Sequence, residues 1–289
     1  MTRCTPYGRR MYPFFIDTIK AWIDHRAASK GAALAFYTLF SMTPILMLVI
    51  AVAGYFFGED AARGQLMAQI SGQIGPNGAQ AIQTLLAASR DTNSGIMASV
   101  VATLLMLIGA TSVFTELKIS LDEIWGCNQT SQSPVGGFIK TRVLSFMLIL
   151  ILALLLVASL VANAVFIVLE NYAVGIRSSF TGLFSLLSSL VSYGVIACLF
   201  AVIYKTLPEE QLPWSDVWVG AAFTSLFFSL GKYAIGLYLS NSGISSIFGA
   251  AGSLIALLLW IYYSAQIFFL GAEFTRQYAL RFGSLQQRR

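Results

Sequence analysis

The chain is poor in most of what soluble catalysis uses. It holds one histidine, His25, and three cysteines, Cys4, Cys127 and Cys198, which are widely separated and form no C-x-x-C pair. That removes the sequence signature of a zinc centre or a dithiol redox pair, which draw closely spaced His and Cys ligands. No nucleophile elbow occurs, nor a phosphate-binding Gly-rich loop ending in Lys-Ser or Lys-Thr. Charge is scarce too: 11% of residues are Asp, Glu, Lys or Arg, against about 25% in an average soluble domain. A two-metal nuclease needs several convergent carboxylates, and the acidic residues here are scattered. No enzyme activity, cofactor or metal is therefore expected, and a water-soluble globule does not fit this composition.

Apolar sequence is what abounds, at 57%. Six long stretches run from Ala32 to Phe57, Ile96 to Thr115, Val143 to Leu169, Leu183 to Tyr204, Val217 to Leu239 and Ile247 to Leu270. Each has about 20 residues or more, enough at about 1.5 Å per residue to cross a hydrocarbon core about 30 Å thick. Backbone groups in lipid must be satisfied within the segment, and the period-2 alternation of a transmembrane barrel is absent, so these stretches are predicted to be helices. The expected fold is all-α: a polytopic membrane protein with six transmembrane helices in one domain over 1–289. The first span begins after about thirty residues and is too long for a signal-peptide core, so it is expected to remain uncleaved.

The net charge of +5 is read from its placement. Of the 18 Lys and Arg, fourteen lie before span one, between spans two and three, between four and five, or after six. Arg63, Arg90 and Arg177 lie in the opposite segments, and Lys232 sits within span five. The positive-inside rule then puts both termini in the cytoplasm. Orientation charge plus attraction to anionic lipid accounts for the balance, so membrane lipids are the expected partners and nucleic acid is not.

Before span one, Phe15, Ile16, Ile19, Trp22, Ile23 and Ala27 recur at helical spacing. They predict an amphipathic helix in the cytoplasmic interface, with Trp22 at headgroup level. Residues 59–94 form the largest outer segment, and Gly75-Pro76-Asn77-Gly78 divides it into two short amphipathic helices. This periplasmic hairpin either caps a cavity or simply packs on the outer ends of the bundle. Leu207-Pro208 to Pro213-Trp214 predicts a rigid cytoplasmic turn.

Few residues in the spans carry chemistry. Ala221, Ser225, Ser229, Lys232 and Gly236 step along one face of span five, a small and polar stripe expected to point into the bundle. An intramembrane cation on that stripe binds an anionic group, or else its stem snorkels outward, and both readings stay open. In span one, Tyr37, Thr38, Ser41 and Thr43 precede Pro44, which removes a backbone hydrogen bond and predicts a kink. Glu116 and Glu273 fall at the cytoplasmic ends of spans two and six, either as ion ligands facing the bundle or as interfacial charges. For Glu273, Arg276 at i+3 offers a plain helix salt bridge. Asp122 and Glu123 are expected to be solvated, and Cys198 to be a small buried hydrophobe.

Several segments together resemble the YihY/BrkB family of bacterial inner-membrane proteins, a family formerly labelled ribonuclease BN. They are Ala32 to Pro44, Leu121-Asp122-Glu123-Ile124-Trp125 with Asp where the family usually has Asn, Pro213-Trp214 with Gly220-Ala221 and Lys232, and Trp260 to Ser264 with Gly271-Ala272-Glu273. The resemblance implies an inner-membrane location, and ion or lipid transport has been suggested for its members. No catalytic residues carry over. The leading expectation is transport of an anionic amphiphile, lipid-like, or of an ion. Lys232, Ser225, Ser229, Tyr37 and Ser41 would contact substrate, and Pro44, Glu116 and Glu273 would gate or couple. The alternatives are a membrane scaffold that recruits partners and, last, a membrane ribonuclease. A homo-oligomer is left open.

Overall fold

The structure, a computed structural model, describes residues 11–88, 112–127, 181–210, 212–241 and 251–288. Predicted span three and most of span two, up to residue 111, lie outside the described residues, as does Cys4. The described elements are α1 (Met11–Asp24), α2 (Ala27–Phe57), α3 (Glu59–Ala88), α4 over 112–125, α5 (Thr181–Thr206), α6 (Trp214–Asn241) and α7 (Gly252–Arg281). A 3-10 turn, Ser284–Arg288, follows. There is no strand among the described residues. Helices α2, α5, α6 and α7 coincide with predicted spans one, four, five and six. Among the described residues, α7 is the one helix both long and apolar enough to cross a bilayer on its own.

Helix α7 is the hub. Its buried residues, among them Ala256, Leu257, Ala265, Phe269, Ala272 and Ala279, lie all round the helix, as expected of an element enclosed by others. At the predicted cytoplasmic end it joins a cluster with Ala27, Leu34, Leu121, Ile124, Trp125, Tyr204 and Val217. At the other end, Leu257 and Ile261 pack with Ala35, Val49, Ile50, Leu66, Ile82 and Leu86. Large apolar side chains also face outward, including Phe36, Phe40, Leu190, Leu230, Tyr233 and Leu237, a surface suited to lipid.

Helices α6 and α7 run antiparallel through a reciprocal seam. A Cβ on Gly220 would fall 1.7 Å from Thr275 Oγ1, and one on Gly271 would fall 1.9 Å from Thr224 Oγ1. Each threonine sits four residues after the glycine of its own helix and donates its hydroxyl to that glycine's carbonyl, at 2.7 Å for Thr224 and 2.6 Å for Thr275. The backbones approach because the facing residue has no side chain, as in small-residue packing between membrane helices. Tyr204 of α5 locks the seam, donating to the Phe268 carbonyl at 2.7 Å with its hydroxyl 3.1 Å from Thr224 Oγ1.

The outer segment folds as two helical halves that break at Gly75, whose φ of 79° only glycine adopts freely, immediately before Pro76. Proline begins the second half, where its missing N–H costs nothing. Leu66, Met67, Ile82 and Leu86 bury against α2 and α7, so the hairpin packs on the bundle end. Helix α2 is continuous from Ala27 to Phe57 through Pro44. The elbow between α1 and α2 is tight, with Arg26 left-handed at φ 53°, which costs a non-glycine residue about 1–2 kcal/mol.

Candidate functional site

The predicted apolar face before span one divides in two: Ala27 is buried and Trp22 packs on the cytoplasmic-end cluster, while Phe15, Ile19 and Ile23 are exposed. The buried residues of α1 include Phe14 and Thr18, outside that face. Phe14 meets the Phe274 ring edge-on at 5.1 Å, and Arg281 pairs with Asp17, so α1 lies along the end of α7. Trp22 is therefore a packing residue, with its indole N–H buried.

This docking brings His25, in the elbow after α1, to Glu273 on α7. The Glu273 side chain is fully buried, at 0% exposure, and its Oε1 shares a short hydrogen bond with His25 Nδ1 across 248 residues of sequence. The same geometry serves two proton positions. An ionised Glu273 accepts from Nδ1–H, and a protonated Glu273 donates to a bare Nδ1. Oε2 is buried with no hydrogen-bond partner among the described residues. Lys30 on α2 and Arg276 on α7 lie near enough to act on the carboxyl electrostatically, and Lys30 Nζ stands 2.8 Å from Glu123 Oε2. The plain i+3 salt bridge with Arg276 is thus replaced by a pair between elements.

Further orphaned polar atoms surround this end of the bundle. Trp22 Nε1, Trp125 Nε1, Ser120 Oγ and Gln266 Oε1 are buried without hydrogen-bond partners among the described residues. An orphan of this kind costs about 1–3 kcal/mol. Gln266 spends its amide on the Ala27 carbonyl at 3.4 Å and leaves no room for a side chain at Gly31.

Asp122 corrects the solvated expectation. It is 5% exposed, and its Oδ1 accepts the Glu209 backbone N–H at 2.9 Å while Oδ2 takes Lys118 Nζ at 2.7 Å. Lys118 also reaches Glu209 Oε1 at 2.8 Å, so α4 is pinned to the turn after α5. Burial opposes the Lys118 charge, but the hydrogen bonds and charges of Asp122 and Glu209 prevail and hold its pKa above the usual lysine value. Glu123 is half exposed, as expected. Asp216, at the start of α6, is another buried carboxylate the sequence did not single out. It accepts from the Ser284 backbone N–H at 2.9 Å and the Ser284 hydroxyl at 2.8 Å, fastening the chain after α7.

Cys127 follows α4. Burial pushes its thiol pKa up, and the Asp122, Glu210 and Glu209 carboxylates add to the effect. The thiolate is the nucleophile, so alkylation of Cys127 by iodoacetamide at neutral pH should run slower than for an exposed cysteine. Asp122→Asn should speed it; an unchanged rate would show that this carboxylate does not reach the thiol. Cys198 is partly buried rather than enclosed.

The other predicted site residues are spread along the bundle. Ser225 and Ser41 are fully buried, and their hydroxyls donate to the Ala222 and Thr38 carbonyls of their own helices at 3.1 and 3.2 Å. Ser229 and Tyr37 are partly buried, with Tyr37 against the cytoplasmic-end cluster, and Glu116 is partly buried on α4. The Pro44 side chain lies outside the described ones. Lys232 is partly buried, with its ammonium 5.4 Å from the Tyr233 ring centroid. The neighbouring Gly231 abuts Tyr263, so Lys232 stands about ten residues, roughly 15 Å, along α7 from Glu273. A cavity of about 370 Å³ lies between α2 and α3, and Lys232 and the four predicted substrate residues are not among those lining it.

The family described as Virulence factor BrkB matches residues 18–289. The chain belongs to that family. It is similar to UPF0761 membrane proteins of Acinetobacter baylyi, at 24% identity over 92% of this chain, and Saccharophagus degradans, at 25% over 96%. It spans 62% of the length of each of these two. The corresponding protein of Alteromonas mediterranea is 26% identical over 93% of this chain and is 88% covered by it. No solved structure matches it. The matched range takes in Trp125, Ala221 and Ala272, which pack together in the cytoplasmic-end cluster described above.

Proposed function

We propose that this BrkB-family chain is an ion-coupled transporter, not an enzyme, in a bacterial inner membrane. It has six spans in one domain with both termini cytoplasmic, and it moves an amphiphile with an anionic headgroup, or an ion. The observation that carries this reading is the fully buried Glu273 carboxyl, held through one oxygen by His25 and with the other oxygen free of partners among the described residues. A fully buried carboxyl with one oxygen unpaired is expensive to keep, and such groups are candidates for function. A proton, or a cation taking its place, would occupy that carboxyl in one state and leave it in the other. Because His25 sits in the elbow of α1, the change is felt by the helix that covers this end. Lys232 would contact the headgroup farther along α6.

The test is movement of fluorescent anionic phospholipid across proteoliposomes, with a proton gradient imposed in either direction. Exchange faster than in protein-free vesicles and dependent on the gradient is expected, with Lys232→Met removing it while the protein stays folded. No movement under any gradient would sink transport and favour the scaffold. The exposed Phe15, Ile19 and Ile23 stripe speaks for that second reading.

A further inference from the structure

The cavity between α2 and α3 has two chemically distinct levels. Met47, Ile50 and Ala51 of α2, with Leu86 of α3, make an apolar wall. Glu59 and Arg63, on the first turns of α3, line the same cavity beyond the Gly58 reversal. Met47 lies about three helical turns below that reversal, while Glu59 and Arg63 fall just past the predicted outer end of span one. The apolar wall thus stands at acyl-chain depth and the two charges at headgroup depth. Glu59 and Arg63 are four residues apart on one helix, and both line the cavity, so one acid and one base belong to its mouth. The volume, about 370 Å³, lies in the range of ligand pockets and suits one acyl chain rather than a whole lipid.

We propose that this cavity binds one zwitterionic phospholipid of the outer leaflet, of the phosphatidylethanolamine class. Its phosphate sits on Arg63, its ammonium on Glu59, and one acyl chain lies against Met47, Ile50, Ala51 and Leu86. Arg63 alone would accept any anionic headgroup; the adjacent carboxylate repels a purely anionic one and selects the amine. The inference rests on the membrane reading of the chain but not on ion coupling, since the lipid is bound whether or not Glu273 does work.

The test is titration of the delipidated full chain in detergent with phosphatidylethanolamine, phosphatidylglycerol or diacylglycerol, with occupancy read by native mass spectrometry. A charge-assisted contact corresponds to about tenfold or more in affinity, so phosphatidylethanolamine should bind about tenfold tighter than phosphatidylglycerol, and diacylglycerol weakest. Glu59→Gln should erase the preference for the amine, and Arg63→Gln should weaken both phospholipids. Ala51→Trp, which fills the cavity from an exposed wall position, should weaken all three. Equal binding of the two phospholipids by the unmodified chain, or full binding by a folded Ala51→Trp variant, would overturn the proposal. Glu273→Gln serves as the control that separates the two ideas: it should bind lipid normally even where transport is lost.

Discussion

Gly271→Ala should lower the melting temperature sharply, whereas Gly236→Ala, on the helix that faces it, should leave it unchanged or raise it. Both exchanges gain the same helix propensity, up to about 1 kcal/mol, so the difference between them reports space alone. At Gly236 an added methyl meets nothing within 4 Å. At Gly271 it falls 1.9 Å from Thr224 Oγ1, 2.6 Å from the Tyr204 hydroxyl and 2.9 Å from Thr224 Cβ. Overpacking of this kind costs about 1–3 kcal/mol, and each hydrogen bond Tyr204 gives up adds about 1 kcal/mol more. The net expected loss is therefore about 1–4 kcal/mol, and Gly220→Ala should behave alike. Thr224→Gly should partly rescue Gly271→Ala, because it removes two of the three close atoms. Thermal unfolding in detergent, followed by tryptophan fluorescence, measures all of these. Equal melting temperatures for Gly271→Ala and Gly236→Ala would mean that the two helices do not touch as described.

Glu273→Gln should abolish gradient-driven transport while leaving the protein folded. The carboxamide keeps the size of the side chain and an oxygen that accepts from His25 Nδ1–H, so the bond between α1 and α7 persists in a neutral form. What is lost is the exchangeable charge, and a coupling step that needs it should slow by at least about tenfold, the loss of one strong interaction in the rate-limiting state. Glu273→Ala is the contrasting variant. It strands His25 and leaves a hole in a fully buried position, and losing a hydrogen bond of this charge-assisted kind costs about 1.5–3 kcal/mol before the hole is counted. Loss of transport in Gln with a melting temperature near that of the parent assigns Glu273 to the mechanism. Normal transport in Gln makes the pair a structural latch.

The helices were legible from long apolar runs: the stretches predicted as spans one, four, five and six are the helices α2, α5, α6 and α7. The break at Gly75-Pro76 was legible from turn chemistry. The partners were not. His25 and Glu273 are joined only because α1 doubles back along α7, and no local pattern links residues at that separation. Asp122 and Asp216 look like ordinary interfacial acids in sequence, yet both are spent on backbone N–H groups of distant segments. The face of α6 was half right: Ala221 and Ser225 are buried as expected, but the contact line runs through Gly220, Thr224 and Gly231, which a stripe drawn through Ser229 and Lys232 misses.

The position of α7 in the chain bears on how the protein is assembled during synthesis. Helices α1, α2, α3 and α6 all pack against α7, and every one of them is translated before it. Until residue 252 emerges, the earlier helices can pack only on one another, α2 with α3 and α5 with α6, and their faces toward α7 stay uncovered. Ten residues separate Asn241 from Gly252, so α6 is the partner nearest to α7 in sequence, and the Gly–Thr seam can zip before α7 meets the more distant helices. The N-terminal helices then dock on a finished hairpin, with the His25–Glu273 bond among the last to close. A translational pause just short of residue 252 would hold the chain inserted but unassembled, the state in which membrane quality control has most to recognise.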